Sequence, residues 1–284
     1  MTILVSAASG QLGRLIVDSL LARGVSASDI VAGVRTPAKA TDLAERGVRV
    51  VAFDYDAPAT LEAGLVGIDR LVLVSGSEVG KRTEQHKAVI DAAAAAGVTG
   101  IAYTSVYGAT ESTLPLAPEH VATEQALAAS GVPFVLLRNN WYIENYAGDV
   151  ARAAETGVIA AAVGDGRVAG ASRLDYAEAA AAAILDDARL GQVLELAGDE
   201  SFGYAELAAA AAEVTGREVV YQPLSEDDLR TGLTAAGLDE GTIGFVAALD
   251  AGIAAGALDS SDRTLSGLIG RPTTSLVAAL RPLV

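Results

Sequence analysis

Residues Thr2–Gly13 read TILVSAASGQLG and predict a strand, a tight turn and the start of a helix, the unit from which an α/β fold is built. The apolar run Ile3–Val5 predicts a short buried strand. Small residues follow this run, and Leu12 then opens an apolar pattern with helical spacing. We therefore expect strand, turn and helix in direct succession at the N-terminus.

The small residues of the turn have the spacing Ala7-x-x-Gly10-x-x-Gly13. A phosphate approaches a backbone closely only where side chains are absent or small, and the first turn of a helix offers unpaired N–H groups and partial positive charge. Gly10 would admit a pyrophosphate, and Gly13 would let the helix pack tightly against the strand. This context predicts a dinucleotide site, with a ligand-free glycine turn as the alternative.

The chain has 284 residues, of which 36 are acidic and 20 basic, and a net charge of −16. Its length accommodates one large α/β domain with a small second lobe. The negative charge argues against binding to nucleic acids or to an anionic membrane surface, because both carry phosphates.

Cysteine is absent, and His86 and His120 are the only histidines. Disulfides, thiol catalysis and thiolate metal sites are therefore excluded, and two histidines so far apart in sequence predict no metal site. The N-terminus lacks the pattern of a signal peptide, so a cytoplasmic protein is expected.

Strand and helix patterns alternate through the first half of the chain, which is typical of a parallel sheet covered by helices on both faces. After the first strand, further strands are predicted at Ile30–Val34, Val48–Phe53, Leu71–Val74, Ile101–Ser105 and Phe134–Arg138. Helices are predicted at Leu12–Arg23, Pro37–Gly47, Leu61–Leu65, Thr83–Ala96 and Pro118–Ser130. The expected fold is α/β, a Rossmann-type doubly wound parallel sheet.

The regular alternation weakens in the second half of the chain. We expect residues 1–139 to form a nucleotide-binding domain and residues 140–284 a smaller, mostly helical lobe interleaved with the end of the sheet. A turn is predicted at 164–166 and helices at 175–185 and 204–214, with Asp175 as the N-cap of the former. Short strands are predicted at 193–196 and 219–221, and mostly helix from Ser225 onward.

The end of the second predicted strand indicates which cofactor binds. Enzymes that use NAD place an acidic residue there, on the ribose hydroxyls, but this strand ends in Arg35. A guanidinium pairs with a 2′-phosphate, which a carboxylate would repel. We therefore expect a preference for NADP(H), with Lys39 as a second cation. The alternative is that Arg35 and Lys39 are solvated surface residues.

Two other strand ends carry small or polar residues. Asp54, after the third strand, is expected either to accept a hydrogen bond from the adenine amino group or to cap the next turn. The fourth strand ends in Ser75, Gly76 and Ser77, which leave room for the nicotinamide ribose.

The usual proton donor of short-chain dehydrogenases, a Tyr-x-x-x-Lys pair, is absent. Tyr107 is followed by Glu111, and the expected helix carries His120-x-x-x-Glu124 instead. His120 and Glu124 are either a hydrogen-bonded pair or part of a solvated helix face. A reaction that needs little help from a protein acid gains support, and a quinone fits because its reduced oxygen can take a proton from water.

The segment that follows the sixth strand holds the only tryptophan. Trp141 and Tyr142 are expected either to stack on a flat acceptor or to pack between the two lobes.

Several segments together resemble the flavin-free NAD(P)H:quinone oxidoreductases of the NmrA-like atypical short-chain dehydrogenase group. They are SGQLG at 9–13, VRTPAKA at 34–40, SEVG at 77–80, IAYTS at 101–105, NWYIENY at 140–146, ELAGD at 195–199 and LIGRPTT at 268–274. The resemblance implies a Rossmann domain that binds NADPH, and a C-terminal lobe that closes a quinone pocket.

By motif position, the resemblance assigns the binding residues. Cofactor binding falls to Ala7, Ala8, Ser9, Gly10, Gln11, Leu12, Gly13, Arg35, Ser75, Gly76, Ser77 and Asn139. Acceptor binding falls to Asn140, Trp141, Tyr142, Ile143 and Glu144. No catalytic residue is assigned, and His120 and Tyr142 are the candidates.

Two positions depart from the family pattern. The first loop glycine is Ala7 here, which costs about 1 kcal/mol if its φ angle is positive. The glycine before Trp141 is Asn140, which adds a polar side chain near the expected nicotinamide.

Two functions follow from these observations. The first is an NADPH-dependent, flavin-free and metal-free reductase of quinones or similar flat electrophiles, for which a homo-oligomer is possible. The second is a non-catalytic NADP(H)-binding redox sensor of the NmrA type.

Overall fold

The computed structural model describes residues 1–284 and contains a central sheet of seven parallel strands. The strand order is β3-β2-β1-β4-β5-β6-β9. Strand β1 is therefore flanked by β2 on one side and by β4 on the other. These strands are β1 (Ile3–Val5), β2 (Ile30–Val34), β3 (Arg49–Ala52), β4 (Arg70–Leu73), β5 (Gly100–Val106), β6 (Phe134–Asn139) and β9 (Val193–Leu196). The predicted doubly wound sheet is confirmed.

Helices cover both faces of the sheet. In the first half of the chain they are α1 (Gln11–Ala22), α2 (Thr41–Glu45), α3 (Pro58–Gly64), α4 (Arg82–Ala95) and α5 (Ala117–Ser130). In the second half they are α6 (Ala147–Thr156), α7 (Arg173–Leu185), α8 (Tyr204–Thr215), α9 (Glu226–Ala235), α10 (Glu240–Ala254), α11 (Thr264–Ile269) and α12 (Leu276–Leu280). No helix combines the length and the apolar character that crossing a membrane requires.

Two pairs of short strands stand apart from the central sheet. In one pair, β7 (Val158–Ala161) runs parallel to β11 (Val220–Pro223); in the other, β8 (Arg167–Val168) runs antiparallel to β10 (Phe202–Gly203).

Buried apolar side chains form three clusters. One lies between the sheet and α1 with α7, a second between the sheet and α3 with α4, and each face of the sheet is thereby covered. The third cluster draws its members from residues 114–280 and contains no residue of β1 to β5. It is the core of the C-terminal lobe, while α7 and β9 from the same half of the chain belong to the sheet layer. The division at 139/140 stays a prediction.

The structure corrects several predicted elements. The predicted helix after Pro37 is a short 3-10 helix, 37–40, followed by the separate α2. The N-cap of α7 is Ser172, and Asp175 stands three residues inside the helix, where its carboxylate completes a capping box. Neither α6 nor β7 was predicted, and β7 coincides with the short apolar run Val158–Ala161.

Candidate functional site

The turn between β1 and α1 forms a cradle that only small residues fit. A Cβ atom added to Gly10 would lie 3.1 Å from the Ala7 carbonyl oxygen, and one added to Gly13 would overlap that carbonyl and lie 3.0 Å from Ala8 Cα. No side chain caps the N-terminus of α1, and its first turn holds no acidic residue. The donors at this helix end are therefore open to an anion, and the cradle fits a diphosphate.

Ala7 has a positive φ angle of 48°, and every other residue with positive φ is a glycine. Its carbonyl accepts a hydrogen bond from Gly10 N–H at 2.8 Å, and the Ala8 N–H donates to the Gly33 carbonyl at 3.0 Å. These contacts hold the turn in a left-handed conformation that costs an alanine about 1–2 kcal/mol. The strain expected at this departure from the family pattern is present.

A cleft of about 610 Å³ opens over the carboxyl ends of β1, β2 and β4. Ten of the predicted cofactor-binding residues line it: Ala7, Ser9, Gly10, Gln11, Leu12, Gly13, Arg35, Ser75, Gly76 and Ser77. Ala8 lies beneath the turn with no exposed surface, and Asn139 is not part of the lining. The cleft has the position that ligands take in open α/β sheets.

Six residues of this lining were not predicted from the sequence. They are Thr36, Phe53, Tyr55, Val74, Glu78 and Gln85, and Lys39 lines the cleft with them. Tyr55 fixes the floor, because its hydroxyl lies 2.6 Å from Ser6 Oγ and 2.8 Å from the Val74 carbonyl oxygen. For Glu78, the only sequence signal was its place in SEVG, 77–80, one of the segments that resemble the family.

Arg35 projects from the end of β2 at the rim of the cleft, and its side chain is 63% exposed. Its Nη2 donates to Glu78 Oε1 at 2.7 Å, and its Nε lies 3.7 Å from Asp54 Oδ1. The hydrogen bond from Arg35 holds the pKa of the Glu78 carboxyl below its usual value. Asp54 Oδ1 accepts from the Asp56 N–H at 3.2 Å, which supports its turn-capping alternative.

Side chains of neighbouring elements fix the small residues after β4. The Ser75 N–H donates to Thr104 Oγ1 at 2.9 Å, and the Gly76 N–H donates to His86 Nε2 at 2.9 Å. His86 Nδ1 then carries the proton and donates to Thr123 Oγ1 at 3.0 Å. Burial lowers the pKa of His86 to about 3, so this imidazole stays neutral and keeps accepting from the loop.

His120 and Glu124 form neither a mutual pair nor a solvated face, and both expectations were wrong. His120 is 5% exposed and its Nδ1 is hydrogen-bonded with Tyr103 OH at 2.7 Å. Glu124 is 7% exposed and accepts from Ser105 Oγ at 2.6 Å and from Arg138 Nη2 at 2.6 Å. The i, i+4 spacing permits a pair, but α5 packs against the sheet and each side chain finds its partner there.

Burial lowers the pKa of His120 to about 3, with Arg82 as a further cause. A neutral imidazole at physiological pH has no imidazolium proton to give. His120 stays a catalytic candidate, and in the folded chain it would act in its neutral form.

The segment after β6 contains two buried polar atoms without a partner. Asn139 Nδ2 donates to Tyr142 OH at 3.2 Å, while Asn139 Oδ1 and Trp141 Nε1 are buried and unpaired. Buried polar groups are normally satisfied, so an unpaired acceptor and donor at a strand end fit a polar ligand group. Burial raises the pKa of Tyr142, which keeps its hydroxyl protonated.

The other predicted acceptor residues have partners within the chain. Asn140 Nδ2 donates to the Leu258 carbonyl at 3.1 Å, and Asn140 Oδ1 accepts from the Trp141 N–H. Ile143 is 1% exposed in the core of the C-terminal lobe, and the Glu144 carboxylate accepts from the Arg173 N–H at the start of α7. None of these residues lines the cleft over β1, and their role in binding an acceptor stays a prediction.

A second cavity of about 500 Å³ lies in the C-terminal half, and Ile143 is on its wall. Its polar lining includes Asp199 and Arg263, which pair with each other at 3.2 Å. It has neither the glycine cradle nor the cation at the end of β2. The cleft over β1 is therefore the candidate site.

The chain is similar to several known proteins. A family model described as NAD(P)H-binding matches residues 7–188, which include the glycine turn, Arg35 and Ser75–Ser77. Quinone oxidoreductase 2 of Escherichia coli is 47% identical over 278 residues, which cover 98% of this chain and 97% of that protein.

Solved structures extend the similarity to the whole fold. An Escherichia coli NADPH-dependent quinone oxidoreductase complexed with NADPH superposes with a TM-score of 0.94 at 46% identity, covering 99% of both chains. A Citrobacter triphenylmethane reductase complexed with NADP(H) has a TM-score of 0.93 at 34% identity and covers 100% of both chains.

Proposed function

The chain belongs to the family of NAD(P)H-binding proteins, and from this premise we propose that it is an NADPH-dependent, flavin-free reductase of quinones or similar flat electrophiles. The main support for this proposal is that one cleft contains both the glycine turn at the N-terminus of α1, with Gly10 and Gly13, and the guanidinium of Arg35 at the end of β2. Quinones are proposed as acceptors because the Escherichia coli quinone oxidoreductase is 47% identical across nearly the whole chain.

The cleft residues divide the binding of NADPH between them. The open N–H groups at the start of α1 would hold the diphosphate, and Arg35 with Lys39 would bind the 2′-phosphate. Ser75–Ser77 would flank the nicotinamide ribose, which their small side chains and their fixed backbone allow. When bound, the cofactor supplies a hydride.

The acceptor is proposed to bind beyond β4, toward β5 and β6. Strands of one sheet are spaced by about 4.8 Å, so Asn139 at the end of β6 lies roughly 10 Å from the end of β4. Asn139 is proposed as a cofactor-binding residue, because its unpaired Oδ1 needs a donor that a quinone lacks and that a cofactor N–H or O–H would supply. Trp141 and Tyr142 would contact the flat ring of the acceptor.

Reduction of a quinone to a hydroquinone consumes the hydride and one proton. We propose that water supplies this proton, because His86 and His120 both stay neutral at physiological pH. Tyr142 OH accepts from Asn139 and keeps its own proton, so it is able to donate a hydrogen bond to a quinone oxygen.

The redox-sensor alternative is not favoured, because the relative with 47% identity is an oxidoreductase. We further propose that residues 1–139 form the nucleotide-binding domain, that residues 140–284 form the acceptor-binding lobe, and that the protein is cytoplasmic. A homo-oligomer is compatible with it.

The test is a steady-state assay of flavin-free protein with benzoquinone and naphthoquinone acceptors and either NADPH or NADH. The proposal expects NADPH oxidation that depends on both quinone and enzyme, with NADPH preferred. If NADPH binds tightly but no quinone raises its oxidation rate above that of the buffer, the reductase proposal is overturned.

Arg35→Ala tests the cofactor assignment in the same assay. A charge-assisted hydrogen bond to the 2′-phosphate is lost, so the dissociation constant of NADPH should rise about 10- to 100-fold while that of NADH stays within about twofold. Arg46→Ala is the matched control, because Arg46 is an exposed arginine paired with Asp18 and lies outside the cleft lining. Equal losses for NADPH and NADH would refute the assignment.

A further inference from the structure

The SEVG segment at 77–80 places a carboxylate opposite the cation that is proposed to read the 2′-phosphate. Glu78 stands in the loop between β4 and α4, and Arg35 stands at the end of β2. Both line the cleft, and their 2.7 Å hydrogen bond joins two sides of its rim. The pair therefore lies where the adenosine end of a dinucleotide would enter.

The loop holds Glu78 in this position. Lys81 Nζ donates to Glu78 Oε2 at 3.2 Å, so each carboxylate oxygen has its own cationic partner. The Gly80 N–H donates to Glu119 Oε1 at 2.7 Å, which ties the loop to α5. Arg82 Nε donates to the Gly76 carbonyl at 2.8 Å and Arg82 pairs with the same Glu119 at 2.8 Å. Glu78 is thus a fixed carboxylate rather than a loose surface side chain.

A carboxylate and a phosphate compete for the same donors of a guanidinium. The planar carboxylate and the tetrahedral phosphate each present two anionic oxygens that accept two parallel hydrogen bonds from the guanidinium. Lys39, the other cation of the cleft lining, makes no ion pair in the structure, so its charge is available without exchange. Arg35 alone must give up a partner when a 2′-phosphate arrives.

On the premise of the proposed function, we propose that Glu78 occupies Arg35 in place of the 2′-phosphate and is thereby a specificity-determining residue that limits the preference for NADPH over NADH. NADH carries no 2′-phosphate and leaves the Arg35–Glu78 pair intact. When NADPH binds, Arg35 leaves Glu78 and contacts the 2′-phosphate instead. The Glu78 carboxylate then stays close to the phosphate and repels it. The wild-type chain therefore discriminates less between the two cofactors than Arg35 by itself would allow.

Glu78→Gln tests the proposal in calorimetric titrations of NADPH and NADH without any acceptor. The amide keeps the shape of the side chain but removes its charge, so the dissociation constant of NADPH should fall about three- to tenfold and that of NADH should change less than about twofold. Glu84→Gln is the matched control, since Glu84 is exposed in the first turn of α4 and has no ion pair. It should leave both constants unchanged.

A second comparison asks whether Glu78 acts through Arg35. In an Arg35→Met background, Glu78→Gln should no longer tighten NADPH binding. A gain of the same size in that background would indicate plain charge repulsion and overturn the exchange, as would an equal shift for NADH or no shift for NADPH. Since no quinone is present, these outcomes are independent of turnover: a chain that binds NADPH as described but reduces no quinone would overturn only the proposed function.

Discussion

Ala7 holds the left-handed conformation that the glycine turn requires, with φ at 48°, although it carries a side chain. Its position in the spacing Ala7-x-x-Gly10-x-x-Gly13 was predictable, and the structure supplies the sign of the φ angle. Two hydrogen bonds, from Gly10 N–H to the Ala7 carbonyl and from Ala8 N–H to the Gly33 carbonyl, hold the turn in this conformation. The close packing of Gly13 against the Ala7 carbonyl restricts the backbone further.

Replacing Ala7 by glycine should relieve this strain. We expect Ala7→Gly to raise the free energy of unfolding by about 0.5–1 kcal/mol, which is the relieved strain less the extra freedom of glycine in the unfolded chain. NADPH should bind at least as tightly, because a methyl group leaves the cleft. Ala8→Gly is the control: Ala8 is fully buried and is not a positive-φ residue, so the same change should cost about 1 kcal/mol. Chemical denaturation that gives both variants the same sign would contradict this account.

Residues at strand ends were predictable, but buried partners from different elements were not. Arg35 and Ser75–Ser77 were placed correctly in the cleft because the carboxyl ends of parallel strands meet at one edge. His120 and Glu124 were misread because their partners, Tyr103 and Arg138, come from β5 and β6. The spacing of residues along a helix does not show which side chains of a neighbouring strand they contact.

At the level of secondary-structure elements, α4 and α5 each contribute one buried histidine, His86 and His120, which packs between the helix and the sheet. The rings of Tyr55, His86, Tyr103 and His120 form a continuous series of edge-to-face and tilted contacts, with centroids 5.5–6.0 Å apart. The two histidines are buried among these rings, and their pKa values are lowered to about 3. Their neutral forms are part of the folded structure.

This arrangement predicts a loss of stability in mild acid. The unfolded chain takes up a proton at each histidine below about pH 6.5, whereas the folded chain does so only near pH 3, so stability falls as the pH falls through this range. Between pH 7 and pH 5 each histidine should cost about 2 kcal/mol of unfolding free energy. Denaturant titrations at both pH values should show this difference shrink by about half in His120→Phe. An unchanged difference in the variant would mean that His120 is not neutral in the folded chain.

Asp175 joins α7 to the segment that precedes α12. It has no exposed surface, it completes the capping box with Ser172, and it accepts from the Thr274 N–H at 3.0 Å. Arg271 pairs with it at 2.7 Å. The sequence indicated a capping role, but the link to residues almost one hundred positions later depends on the folded C-terminal lobe.

Asp175→Asn should therefore destabilise the fold strongly. Asparagine has only one side-chain oxygen, so one of the two acceptor positions of Asp175 becomes an NH2 group that cannot accept. The change also leaves the Arg271 guanidinium without its buried partner, so we expect a loss of about 2–4 kcal/mol. Glu178→Gln removes the other, more exposed carboxylate beside Arg271 and should cost less than about 1 kcal/mol. Thermal or chemical unfolding that finds equal losses in the two variants would refute the assigned role of Asp175.

At the scale of the whole molecule, the cleft lies where the strand order reverses, with β2 on one side of β1 and β4 on the other. The alternation of strands and helices in residues 1–139 predicted this arrangement, and no strand end is shifted by more than one residue. In the second half, α7, α8, β9 and β11 lie close to their predicted positions. The elements α6, β7, β8 and β10 were not predicted, and the small strand pairs join segments that are distant in sequence. The place of β9 beside β6 is likewise a contact between distant parts of the chain.

Hydride transfer from NADPH to a quinone without flavin can be followed in a single turnover by protein from which any flavin has been shown to be absent. The protein is saturated with NADPH and mixed rapidly with benzoquinone. We expect one hydroquinone to form for each NADPH oxidised, at a rate that rises with enzyme concentration and exceeds that of NADPH and quinone alone. A rate equal to that of the enzyme-free mixture, or turnover only after flavin is added, would contradict it.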